Sequence, residues 1–96
     1  MLLLALVLSV ASCGPAKEVR RVSLRMTGSP SQASVTIDDI FVGRLETVAA
    51  RGVALPLGPH HVTVEAAGFF PNDQVIEATE AASPIRLDVH LIPIPD

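Results

Sequence analysis

The stretch Gly58-Pro59-His60-His61-Val62-Thr63-Val64-Glu65-Ala66 changes character at every step. Val62, Val64 and Ala66 share one parity, and His61, Thr63 and Glu65 share the other. An alternation of period two puts successive side chains on opposite faces of an extended chain. One face is apolar and the other polar, so the segment is a half-buried strand. Gly58-Pro59 before it and Gly68 after it are breaks.

The same pattern recurs on both sides. Val22, Leu24 and Met26 alternate with Ser23, Arg25 and Thr27, and Gly28-Ser29-Pro30-Ser31 interrupts them. Val35 and Ile37 alternate with Ser34 and Thr36. Asp38-Asp39 is a tight turn, Ile40-Phe41-Val42 is the returning strand, and Gly43 marks the end of that hairpin. Glu46 to Arg51 is the one helix-tolerant stretch, too short and too weakly patterned to count as a helix. Val53, Leu55 and Leu57 share a parity. Downstream, Pro71-Asn72-Asp73 turns the chain and Gln74 to Thr79 is a weaker strand. Ile85, Leu87, Val89 and Leu91 alternate with Arg86, Asp88 and His90 in the cleanest strand of all. Pro93 and Pro95 end it, since proline cannot donate to a ladder.

About seven short strands separated by turn signals argue for a β-sandwich or small barrel, and the expectation is an all-β, small sandwich-like domain with antiparallel strands. It spans 21–92, and 93–96 form a C-terminal tail. A domain of about 60–80 residues buries only about 60% of its unfolded surface. The chain has one cysteine, Cys13, so no internal disulfide assists and packing alone must hold the domain.

That cysteine closes the opening run MLLLALVLSVASCGP. Leu2 to Val10 carry no charge. The run is shorter than the ~20 apolar residues of a membrane span and fits the ~7–15-residue apolar region of a signal peptide. Ala11 and Ser12 are small, as a peptidase site requires. The stretch Val10-Ala11-Ser12-Cys13 resembles the lipobox of bacterial lipoproteins. The resemblance implies a signal peptide over 1–12, a diacylglyceryl group on the Cys13 sulfur, and Cys13 as the first mature residue, with acyl chains such as palmitate. Gly14 lacks the acidic side chain associated with inner-membrane retention, which implies the outer membrane. Residues 13–20 are then a short tether. The other reading is a plain signal peptide with an incidental cysteine beside its cut. Of the usual positive leader only the Met1 amine is present.

Charge is uneven. Lys17 to Arg25 hold four bases and one acid, and the rest of the chain holds three arginines and nine acids. A nucleic-acid role would need a basic face, and an acidic exported domain argues against it. The basic cluster lies near the expected anchor, where it either meets anionic headgroups or is simply a solvated tether and first strand.

Together these residues resemble the PEGA domain, a small β module of bacterial envelope proteins. Ser29-Pro30-Ser31-Gln32-Ala33 stands where that family has Ser-Pro-Glu-Gly-Ala. Val35-Thr36-Ile37-Asp38-Asp39 stands for the strand and its Asp-Gly turn, and Gly43 for the glycine after the hairpin. Gly58-Pro59-His60-His61-Val62-Thr63-Val64 matches Gly-x-His-x-Val-x-Val, and Gly68-Phe69 replaces Gly-Tyr. The resemblance covers about Val22 to Leu91. It departs at Ser31-Gln32, at Asp39 and at Arg44-Leu45, where the family has Thr-Pro. It implies an extracytoplasmic, sandwich-like module without enzymatic activity or cofactor, which binds cell-surface carbohydrate or protein.

Side-chain chemistry is sparse. His60 and His61 are strand neighbours and point to opposite faces, so they are poorly placed to share a metal. By parity His60 packs at the edge of the core, and His90 is solvated. Asp38-Asp39 falls far short of the 6–8 oxygens that calcium takes. No nucleophile elbow is present, so no catalytic residue is assigned. Sugar sites stack a ring on an aromatic face, and the chain has no Trp or Tyr and three Phe. Of these, Phe70 is expected to be the best exposed. Phe70 and His61 are thus the candidates for ligand or partner contact. The expected function is a lipid-anchored envelope module with a structural or protein-interaction role. The alternative is a secreted glycan- or peptidoglycan-binding module without an anchor.

Overall fold

A computed structural model of the chain describes residues 20–95. Cys13, the expected signal peptide and nearly all of the tether lie outside the described residues.

Seven strands are present: β1 (Arg21–Ser29), β2 (Ser34–Ile37), β3 (Ile40–Arg44), β4 (Val53–Pro56), β5 (Gly58–Glu65), β6 (Asn72–Ala78) and β7 (Ile85–His90). A helix, α1 (Leu45–Arg51), follows β3, and a single 3₁₀ turn, Glu80–Ala82, precedes β7. The strands form a three-stranded sheet, β4-β1-β7, and a four-stranded sheet, β3-β2-β5-β6. This is the all-β, sandwich-like domain expected from the alternation.

The apolar parity of each strand forms the core. Val22, Leu24 and Met26 of β1 meet Val35 and Ile37 of β2 and Val62 and Val64 of β5, all buried. Leu55, Ala78, Val89 and Leu91 complete the layer. Fully burying one such aliphatic side chain contributes about 1.5–3 kcal/mol.

One strand pair runs against the antiparallel expectation. β7 lies parallel to β1, with Leu24 opposite Ile85 and Met26 opposite Leu87. All the other pairs are antiparallel. The chain leaves β1 for β2 and β3, returns to lay β4 on one edge of β1, completes the second sheet with β5 and β6, and comes back as β7 along the other edge of β1. Alternation has the same period in both directions, so it carries no information on strand polarity. Gly28 permits the close approach of β7. A Cβ there would sit 1.8 Å from the carbonyl oxygen of Val89.

Four local expectations are also corrected. Glu46 to Arg51, with Leu45, does form a helix, in which Leu45 and Val48 are buried. Its first amides donate to loop carbonyls, Leu45 N–H to Ala33 and Glu46 N–H to Ser31. A short, weakly patterned helix is thus stabilised by tertiary contact instead of propensity. Gly43 does not end its hairpin, because β3 runs on to Arg44. Leu57 does not follow Leu55 inward, because β4 stops at Pro56 and Leu57 is exposed. Finally, the edge of the domain does not stop at Ile92. Pro93 bridges Phe69, and Ile94 N–H donates to the Gly68 carbonyl.

The β2–β3 turn places both Asp38 (φ 51°) and Asp39 (φ 67°) in the left-handed region. That is the geometry of a type I′ hairpin turn, and aspartate tolerates it better than most residues. An irregularity follows: Val35 pairs with Gly43 and Thr36 with Phe41, leaving Val42 as the extra residue of a bulge.

Candidate functional site

β5 supplies the polar residues that matter, and its alternation decides their direction. His60 faces inward at the rim of the core, as its parity requires, and its side chain is 10% exposed. Its Nδ1 lies 2.6 Å from Asp38 Oδ2 and its Nε2 lies 2.7 Å from the Pro56 carbonyl oxygen. Both partners are acceptors, so the geometry favours the imidazolium, the form in which both ring nitrogens donate. The Asp38 hydrogen bond, followed by that to Pro56, raises the His60 pKa above its ordinary value against the opposing effect of burial. The same His60 hydrogen bond, with one from the His61 backbone N–H, holds the Asp38 carboxyl below the usual range. β5 and the β2–β3 turn belong to one sheet and Pro56 to the other, so this ring ties the two layers together.

His61 faces the other way, onto the outer surface of the four-stranded sheet. Its Nε2 pairs with Asp73 of β6, and Thr63 Oγ1 donates to the same carboxylate at 3.1 Å. An open cleft of about 350 Å³ is lined here by Asp38, Pro59, His60, His61 and Val75. Across the same face the register sets Phe41, Thr36, Thr63 and Asp73 in one row.

Phe41 corrects the expectation for Phe70. Phe41 is 63% exposed and Phe70 49%. The bulge and the edge position of β3 turn Phe41 out, with no strand beyond it among the described residues. Phe69 packs against the core. Phe70 N–H donates to the Ile92 carbonyl at 2.9 Å, and Phe70 belongs to a different, smaller cleft with His90 and Ile92. The two residues singled out from sequence, His61 and Phe70, therefore do not share a site. Asp73 and Phe41 were missed, since each gains its meaning only from cross-strand register.

His90 is exposed, and it is also engaged. Its Nδ1 lies 3.0 Å from Ser29 Oγ and its Nε2 3.1 Å from Asp88 Oδ2. Thr27 Oγ1 donates to Asp88 Oδ1 at 2.9 Å, and this bond is the main cause of the lowered Asp88 pKa. A serine, a histidine and a carboxylate in line have the order of a catalytic triad. Acyl transfer also needs preorganised donors for the oxyanion. The residue after Ser29 is Pro30, which has no N–H, and Leu91 N–H is already bonded to the Ser29 carbonyl. The line reads as a polar ladder between paired strands β1 and β7. Among the described residues, no three His, Cys, Asp or Glu side chains converge as a metal set.

Edge strand β3 carries the remaining feature. Ile40, Phe41 and Val42 are consecutive, large, apolar and exposed, on a strand paired on one side only. No family model, curated protein or solved structure matches the chain.

Proposed function

We propose that this chain is a non-enzymatic cell-envelope lipoprotein, anchored through lipid on Cys13, whose PEGA-like β domain serves as a structural or protein-interaction module. The observation that carries the interaction role is β3. An edge strand presents free backbone donors and acceptors, and natural proteins usually blunt such edges with charge or proline. Ile40-Phe41-Val42 has neither, and the protection of this strand is confined to the bulge at Val42 and the terminal Arg44. A partner strand added here would gain main-chain hydrogen bonds and bury three apolar side chains. The lipobox-like stretch Val10-Ala11-Ser12-Cys13 supports the anchor. Two or three acyl chains give stable attachment where one is marginal.

The test of the anchor is labelling with a palmitate analogue. Wild type incorporates label and Cys13→Ala does not; equal incorporation overturns the lipoprotein reading. The test of the edge is cross-linking in membranes from a photoreactive residue at position 42. A discrete protein adduct that disappears in Phe41→Lys supports the module reading, and identical adducts in both overturn it.

A second reading has its own support. Phe41, Thr36, Thr63, His61 and Asp73 share one open face, an aromatic ring among hydrogen-bonding groups. A secreted module that binds glycan or peptidoglycan through that face would be retained by purified sacculi and released by Phe41→Ala, with no lipid on Cys13.

A further inference from the structure

The opposite outer face, that of the three-stranded sheet, is built from the outward parities of β1, β4 and β7, with Ala54 and Pro56 from β4. β1 contributes Arg21, Ser23, Arg25 and Thr27, and β7 contributes Arg86 and Asp88, all exposed. Arg25 and Arg86 stand directly opposite in the parallel register. Like charges so placed destabilise a strand pair. Among the described residues neither has a carboxylate partner, whereas Arg20 pairs with Glu80 at 3.0 Å. The Arg25 guanidinium lies over Gly52, where a Cβ would come within 3.0 Å of its Nη1. Arg51, the exposed last residue of α1, precedes that glycine in the chain. Asp88, the acid on this face, is held by Thr27 and His90. The outer face of the other sheet carries Glu65, Asp73 and Glu77 against Arg44. The domain is thus polarised through its thickness, within a chain whose formal net charge is −3.

We infer that the arginine face is a contact surface for anionic lipid headgroups. The inference rests on the lipid anchor at Cys13. From there to Arg21 the chain spans at most about 30 Å when fully extended, so the anchor keeps the domain close to the bilayer, and charge selects the face that turns to it. Guanidinium groups take phosphate oxygens in a bidentate fork, which gives the opposed Arg25 and Arg86 a shared counter-ion. Each arginine near such a surface is worth about fivefold in partitioning.

The test uses the full chain carrying Cys13→Ala, sedimented with vesicles of phosphatidylcholine alone or with about a third phosphatidylglycerol. The apolar leader binds both kinds, so the ratio of anionic to neutral binding isolates charge. The double variant Arg25→Gln/Arg86→Gln lowers that ratio roughly 30-fold. Arg25→Lys/Arg86→Lys keeps most of it, and Arg44→Gln on the opposite face leaves it unchanged. The parent ratio falls as salt rises, a reading that needs no variant to fold. A ratio equal in the glutamine variant and the parent overturns the inference, as does an equal loss in Arg44→Gln. These outcomes are separate from the anchor: an unlabelled Cys13 removes the lipoprotein reading, and an unmoved ratio with a labelled Cys13 removes only this surface.

Discussion

At the scale of single residues, His60 is the most consequential polar group. Its ring is nearly enclosed, donates to Asp38 and to the Pro56 carbonyl, and joins the two sheets. Glu77 on β6 adds a weaker attraction of the same sign. The unfolded histidine titrates near 6.5, and the folded one titrates higher. The stabilisation is therefore complete below about pH 6.5 and is lost as pH rises through the folded value. Asp38 works in the other direction: its folded pKa is lowered, so its contribution is present above about pH 4 and is lost as pH falls through the folded value. Melting temperature followed against pH should decline on the alkaline side in wild type. In Asp38→Asn that decline should flatten and the melting temperature near pH 6 should drop. A profile in the variant that still declines in parallel with wild type would remove His60 from this role.

At the scale of elements, the parallel pairing of β7 with β1 is the contact that closes the three-stranded sheet, and Gly28 is its tightest point. With φ at 149° and Val89 backbone against it, position 28 has no room for a side chain. Gly28→Ala must push β7 away or twist β1, at a cost of about 3 kcal/mol. Amide hydrogen exchange is the discriminating measurement. Protection should fall first along Ile85 to His90 while β2 and β5 keep theirs, because the four-stranded sheet does not pass through this contact. Helix α1 belongs at this scale too. It exists because Ser31 and Ala33 offer carbonyls to its first amides and because Leu45 and Val48 reach the core.

At the scale of the whole molecule, stability comes from one apolar layer between two sheets. Small domains sit near the low end of the usual range of about 5–15 kcal/mol. Leu24 is fully buried at the centre of that layer. Leu24→Ala should remove about 2–5 kcal/mol, enough to bring the domain close to half-unfolded. Urea denaturation should show a lower midpoint with an unchanged slope, since the surface exposed on unfolding is the same. The two outer faces differ in charge. The acidic one bears the Phe41 row and the exposed edge of β3, and the basic one bears the arginines.

By itself the sequence determined the strands, their buried parity, the tight turn at Asp38-Asp39 and the placement of His60 at the rim of the core. Those are local properties: each follows from alternation over a few residues or from a residue's tolerance for positive φ. Tertiary structure alone decided the direction of β7, the helix after β3, the docking of Pro93 and Ile94, and the pairings of His60 with Asp38 and His61 with Asp73. It also decided that Phe41 is more exposed than Phe70, and that Arg25 faces Arg86. Each of these depends on which distant segment becomes the neighbour and in what register. Period-two alternation is silent on that, because it is the same for either strand direction and for every even shift of one strand along another.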